Sequence, residues 1–270
     1  MPYLANARMY SVTPGAASAW KDLFAWLADA SGVDLATIDH AFPASLAELW
    51  ARPDLGAAFM CGFPYKLSDH PPKPVAAPLP SHGPVAGKPL YATRLIVKAE
   101  SRFQSLEDTF GGRLGYTVED SHSGYNALRH HLLPYRPRHG GNLYGESVGP
   151  LTTPRRVIEA IVAGEIDVGP LDSYALDLMR RHDPVLAAKI RIVATTDVAP
   201  IPFLIAGRDC PDDVVRALQA ALLKFGDNAV YADLRDRLCL KGFALVAKPD
   251  YGLMLRWDAE ARAADYARPG

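Results

Sequence analysis

The chain is poor in cysteine, in long apolar runs and in any excess of charge, and each shortage excludes something. Three cysteines, Cys61, Cys210 and Cys239, stand in 270 residues. They are too few and too scattered for a disulfide scaffold, with at most one disulfide possible and one thiol left over. Their spacing fits no structural zinc site, and neither an H-E-x-x-H motif nor a cysteine pair occurs, so no metal and no cofactor is expected. Cys61, beside Gly62 in an apolar segment, reads as a small buried packing residue. No run approaches the roughly 18 apolar residues of a membrane-spanning helix. Residues 1–10 lack the basic-then-apolar pattern of an export signal, so a soluble chain without such a signal is expected. Lysine plus arginine (29) nearly balances aspartate plus glutamate (30). With no basic run and no aromatic-basic stripe, a nucleic-acid partner is disfavoured and a small ligand favoured. P-loop and dinucleotide fingerprints are missing as well.

What is present is an alternation of short apolar runs with amphipathic stretches, the pattern of an α/β protein whose strands are buried on both faces. The length suits two lobes or one large α/β domain. Strands are expected at 4–10, 38–42, 56–61, 91–97, 113–118, 166–170, 191–195 and 203–206. Helices are expected at 16–30, 45–51, 103–110, 124–133, 153–163, 173–181 and 184–189, and the tail reads as helical at 211–225, 229–240 and 251–265. Prolines crowd residues 64–89 and argue for extended or loop structure there. The 153–163 helix is well signalled, with Thr152 or Thr153 as cap, Pro154 in its first turn and Gly164 as its stop.

The most informative stretch is Asp120-Ser121-His122-Ser123-Gly124-Tyr125-Asn126, which joins an expected strand to an expected helix. A helix begins with backbone N–H groups that lack intrahelical partners and with the positive end of its dipole, so an oxyanion placed there is stabilised without a cation. Ser121 and Ser123 add hydroxyl donors, and Gly124 allows close backbone approach. Two readings of Ser123 stay open: it caps its helix, or it holds a ligand. Neither serine has glycines two residues before and after it, so the turn is no nucleophile elbow. Asp172 ends another expected strand. In open α/β sheets ligands bind beyond the carboxyl ends of strands, so the serine turn and Asp172 point to one place.

Several passages resemble the phosphate, phosphite and phosphonate-binding proteins of ABC transporters. Leu106-Glu107-Asp108-Thr109-Phe110-Gly111-Gly112-Arg113-Leu114-Gly115 resembles that family's "L-x-D-L-x-G-k-r-h-g" lead-in, and Asp120–Asn126 its "D-S-x-S-G-x-N" turn. Residues 157–172 resemble "a-v-x-x-G-x-x-D-v-a-x-x-D", and Met60-Cys61-Gly62-Phe63-Pro64-Tyr65 a "x-C-G-y-P" segment. The resemblance spans roughly residues 4–225. It implies a two-lobed α/β fold of the type II periplasmic-binding kind with two hinge crossovers, lobe one at 1–92 plus 200–270 and lobe two at 93–199, closing on a ligand. It further implies a monomer that serves an ABC transporter permease from the periplasm, while the lack of an export signal leaves the cytoplasm open. The "G-S-H" often found ahead of the second signature is replaced by Gly145-Glu146-Ser147-Val148-Gly149, which leaves the ligand's identity open.

On this reading Ser121, Ser123 and the amides of Gly124, Tyr125 and Asn126 hold a small oxyanion, namely phosphate, a phosphonate or an organic carboxylate. Tyr10 and the turn Gly62-Phe63-Pro64-Tyr65 close over it with their aromatic rings. Asp172 accepts a hydrogen bond from the ligand or caps the helix that follows. Arg94 reaches the anion or makes a structural ion pair. His122 lies in the turn and is free to point to solvent, while His130 and His131 are neighbours on a helix and form no metal pair. The rival reading is a cytoplasmic enzyme on the same fold, as in menaquinone-pathway enzymes that resemble binding proteins, with Asp172 or His122 as its acid or base.

Overall fold

The computed structural model describes residues Met1–Gly270. They form two compact units, one of Met1–Leu90 and Pro200–Pro249, the other of Tyr91–Ala199 and Asp250–Gly270. Residues 250–270, expected in lobe one, therefore belong with the other unit. The reason is a buried attachment: Arg129, 2 % exposed, pairs there with Asp258.

The first unit is built on a six-stranded sheet in the order Leu240–Ala244, Lys73–Pro80, Phe203–Ala206, Leu55–Met60, Tyr3–Asn6, Leu35–Thr37. The last three are mutually parallel, and Phe203–Ala206 runs antiparallel to both of its neighbours. Every residue of Leu55–Met60 is buried, as expected of a strand covered on both faces. Helix Pro14–Ser31 starts at Thr13, whose hydroxyl accepts from the Ala16 amide at 3.1 Å, and stops at Gly32 in the left-handed region (φ 68°). It buries Trp20, Leu23, Phe24 and Leu27, each stabilising the fold by about 1.5–3 kcal/mol through removal of apolar surface from water.

The proline-rich passage, expected to be extended or loop, supplies an extended strand, Lys73–Pro80, and this strand lies inside the sheet; three other segments depart from the sequence reading. Prolines cannot donate to a ladder, and the register slips beside Pro74 and beside Pro80 accommodate them. No helix spans 103–110; there is only a 3₁₀ turn, Glu107–Thr109. The Asp108 carboxylate accepts from the amides of Gln104 and Ser105, both at 2.8 Å, and this local bonding competes with a helix. Leu240–Ala244 is a strand paired with the proline strand, so the tail is not helical throughout, and the strand expected at 38–42 lies earlier, at Leu35–Thr37.

In the second unit Thr93–Lys98 lies between Ile190–Thr195 and Gly169–Asp172, antiparallel to both. A parallel pair, Arg113–Gly115 with Glu146–Val148, is joined to this sheet by a parallel bridge between Leu114 and Val168. The core gathers Leu95, Val97, Leu114, Leu128, Leu132 and Val168, and Tyr266 from the terminal segment completes it. Helix Pro154–Ala163 keeps its expected signals, with the Thr153 hydroxyl accepting from Arg156 and Gly164 left-handed. All three cysteines are buried and none is in a disulfide.

Candidate functional site

The serine turn follows strand Arg113–Gly115, and Asp172 ends Gly169–Asp172; the parallel bridge between these segments puts both at the same edge of the sheet. Thr93 ties them together. It pairs in register with Asp172, and its hydroxyl donates to the Ser123 carbonyl at 3.0 Å. Nothing in the sequence marks Thr93 out from other threonines.

The helix here opens with one π turn, His122–Asn126, and continues as α-helix Ala127–Leu132. Its first bonds span five residues: the Asn126 amide donates to the Ser121 carbonyl at 3.0 Å, and the Ala127 amide to His122. Such wide turns are rare and often mark functional sites. Ser121, not Ser123, is the cap, its hydroxyl accepting from the Gly124 amide at 3.0 Å. The half-buried Ser123 hydroxyl makes no hydrogen bond within the protein, and the Ser123 and Tyr125 amides have no acceptor in the chain before the turn.

Two expected donors are thus spoken for. The Gly124 and Asn126 amides bond to the Ser121 hydroxyl and carbonyl oxygens, whereas the Ser121 hydroxyl accepts in this cap and keeps its own proton to donate. Gly124 has a different reason to be glycine than ligand approach: a Cβ there would lie 1.8 Å from the Thr117 hydroxyl oxygen. The Asn126 side chain is wholly buried, donating to the Met254 carbonyl at 2.8 Å and accepting from Arg129. His122 does not point to solvent. It is 1 % exposed, stacked on Trp257 at 5.2 Å between ring centroids, and its pKa is pushed down to about 3 by burial and secondarily by His130.

Asp172 is buried and caps helix Ser173–His182, Oδ1 accepting from the Tyr174 and Ala175 amides at 2.8 and 3.1 Å. Arg94 takes the face of its strand opposite to Thr93 and donates to the Thr195 hydroxyl at 2.7 Å, away from the serine turn. In the first unit Tyr10 and the helix Gly62–Leu67 both follow the carboxyl ends of neighbouring parallel strands. Tyr10 packs edge-on to Phe59 with ring centroids 4.8 Å apart, and Tyr65 packs edge-on to Phe203 at 5.0 Å. Burial raises the pKa of the Tyr65 hydroxyl, and Gly62 and Phe63 are buried beside it. 

A chain of two α/β units, with an antiparallel return strand inserted in the first sheet and an amide-rich helix start at a strand end in the second, has the architecture of a periplasmic binding protein. Residues 12–251 match the family described as ABC transporter, phosphonate, periplasmic substrate-binding protein, and the chain belongs to that family. It is a family of substrate-binding proteins, and the enzyme reading falls with that membership. Among solved structures, a binding protein component of an ABC phosphonate transporter from Pseudomonas aeruginosa superposes with a TM-score of 0.81 at 14 % identity, over 98 % of this chain and 88 % of that one. A Prochlorococcus marinus protein solved with methylphosphonate gives 0.75 at 12 % identity, covering 96 % of this chain and 98 % of the other. MatC from Rhodopseudomonas palustris, solved with malate, gives 0.62 at 15 %, over 99 % and 100 %. At such identities these structures are similar in fold. No curated protein is close enough in sequence to count as a match.

Proposed function

We propose that this chain captures a small oxyanion, a phosphate, a phosphonate or an organic carboxylate, at the start of the His122 helix, for delivery to an ABC transporter permease. The observation that carries this reading is the division of labour between the two serines. Ser121 closes the helix end, while the Ser123 hydroxyl and the neighbouring amides are left with donors to offer, at the positive end of a helix dipole. An oxyanion satisfies several such donors at once, whereas a neutral ligand satisfies fewer and gains nothing from the dipole. Thr93 and the Asp172 cap hold the surrounding backbone in place.

A thermal-shift screen tests the reading. Phosphate, alkylphosphonates, sulfate and aliphatic or aromatic carboxylates are compared with neutral analogues, since a ligand that binds only the folded state raises its melting temperature by mass action. A rise with at least one anion and none with its neutral analogue is expected. A response confined to metals or nucleotides contradicts the reading.

A further inference from the structure

We propose that the C-terminal segment 250–270 sets the geometry of the serine turn, with Trp257 and the hydroxyl of Tyr125 as positioning groups for ligand capture; this rests on the reading of the turn as the anion site. The turn offers its side chains on two sides. His122, Tyr125 and Asn126 are spaced three and four residues apart and share a face, as helical neighbours do. Each of the three is held by the terminal segment. Trp257 stacks on His122 with planes 20° apart, the Tyr125 hydroxyl donates to the Ala267 carbonyl at 2.8 Å, and Asn126 donates to the Met254 carbonyl at 2.8 Å. Ser123 lies between them in sequence and takes no part in this attachment.

One turn further along, the same segment fastens the helix again. Trp257 stacks on His130, and buried Arg129 pairs with Asp258 while donating to the carbonyls of Tyr266 and Ala267. A π turn is rare and occurs mostly inside α-helices, where flanking turns support it; here it opens the helix, so a clamp on one face is the means by which its amides stay aimed. The terminal segment is that clamp. It contributes no group to the anion itself and acts through the orientation of the Ser123 and Tyr125 amides.

The test uses the full chain with Trp257→Ala, Trp257→Phe and Tyr125→Phe. Tyr125→Phe deletes one hydroxyl only and keeps the question open should Trp257→Ala fail to fold. Hydrogen exchange is followed at the hydrogen-bonded amides of Gly124, Asn126 and Ala127 and, as a control for global stability, at Thr93–Lys98; affinity is measured for inorganic phosphate, methylphosphonate and a small dicarboxylate. One stack or one neutral hydrogen bond corresponds to about 2- to 10-fold in an equilibrium. Trp257→Ala and Tyr125→Phe are expected to speed exchange at the turn by about that factor with the control amides unchanged, and to weaken binding by a similar factor, while Trp257→Phe restores both. Unchanged exchange at the turn, or an equal acceleration at the control strand, overturns the proposal. Wild-type protein that binds a probe, with variants that bind it equally well, also overturns it. Wild-type protein silent to all three probes contradicts the anion reading itself, a result distinct from the other two.

Discussion

The Trp257 indole lies flat against the His130 imidazole, ring centroids 4.6 Å apart and planes within 5°. Through that stack the last helix of the chain, Gly252–Ala263, is fixed to the helix whose first turn carries Ser121 and Ser123. A segment remote in sequence is thereby made part of the unit that holds the candidate site.

The two serines are expected to respond differently to alanine. Ser121→Ala removes a cap and lowers unfolding free energy by about 0.5–2 kcal/mol. Ser123→Ala removes a hydroxyl with no internal partner, so stability stays within about 0.5 kcal/mol while anion affinity falls. Urea unfolding beside a binding titration separates them, and equal stability losses at both positions contradict the assignment.

Gly124→Ala forces a methyl against Thr117, whose Cβ and hydroxyl oxygen would lie 2.8 and 1.8 Å away. A loss of about 1–3 kcal/mol is expected from overpacking. Thr117→Ala in the same chain relieves the shorter contact and recovers part of it. A Gly124→Ala protein as stable as wild type shows that the strand and the turn are not so closely packed.

Acid is expected to destabilise the protein through His122. Its folded pKa of about 3 lies below the ordinary 6.5, so between those values the unfolded chain binds a proton that the folded chain refuses. The contribution is complete above about pH 6.5 and is lost as pH falls toward 3, at most about 1.4 kcal/mol per pH unit. Burial pushes the Asp258 carboxyl up, but hydrogen bonds from Arg262 and Arg129 win and hold it below its usual value. Its stabilisation is therefore present above the unfolded carboxylate value and disappears at lower pH. Stability against pH with wild type and His122→Phe measures the histidine share, and identical slopes from pH 6 to 4 contradict it.

Asp258→Ala leaves Arg129 buried beside a missing partner, and a loss of about 3–5 kcal/mol is expected. Arg262→Ala removes only the exposed partner of the same carboxylate and costs less than about 1 kcal/mol. Denaturant midpoints of the two variants check the contrast, and a mild Asp258→Ala contradicts the buried role given to the pair.

Much of the architecture is legible in residue patterns because local chemistry and tertiary need agree there. Thr153, Pro154 and Gly164 bracket their helix as their cap chemistry requires, and Phe203–Ala206 is an apolar run that becomes a buried strand. Where distant partners decide, the pattern says less. The prolines of 64–89 point to extended structure, but the place of Lys73–Pro80 inside the sheet depends on neighbours whose register shifts beside it, and Leu240–Ala244 is a strand because it pairs with that one. At the site, the Ser-x-Ser-Gly motif announces a helix start, yet which serine caps depends on a π turn that spacing does not reveal. The Asn126 amide, expected as a ligand donor, bonds instead to the Ser121 carbonyl, and the Asn126 side chain donates to Met254, 128 positions away. Thr93, Arg129 and Trp257 carry no local signal; only the fold brings them to the turn.

Whether Ser123 and its neighbouring amides hold an oxyanion is tested most directly by calorimetric titration of the wild type and of Ser123→Leu with phosphate, methylphosphonate and a small dicarboxylate. Saturable one-to-one binding of at least one anion by the wild type is expected, abolished in a Ser123→Leu protein that remains folded by circular dichroism. Folded wild type that binds none of the three, or a leucine variant that binds as well as wild type, contradicts an oxyanion site at Ser123.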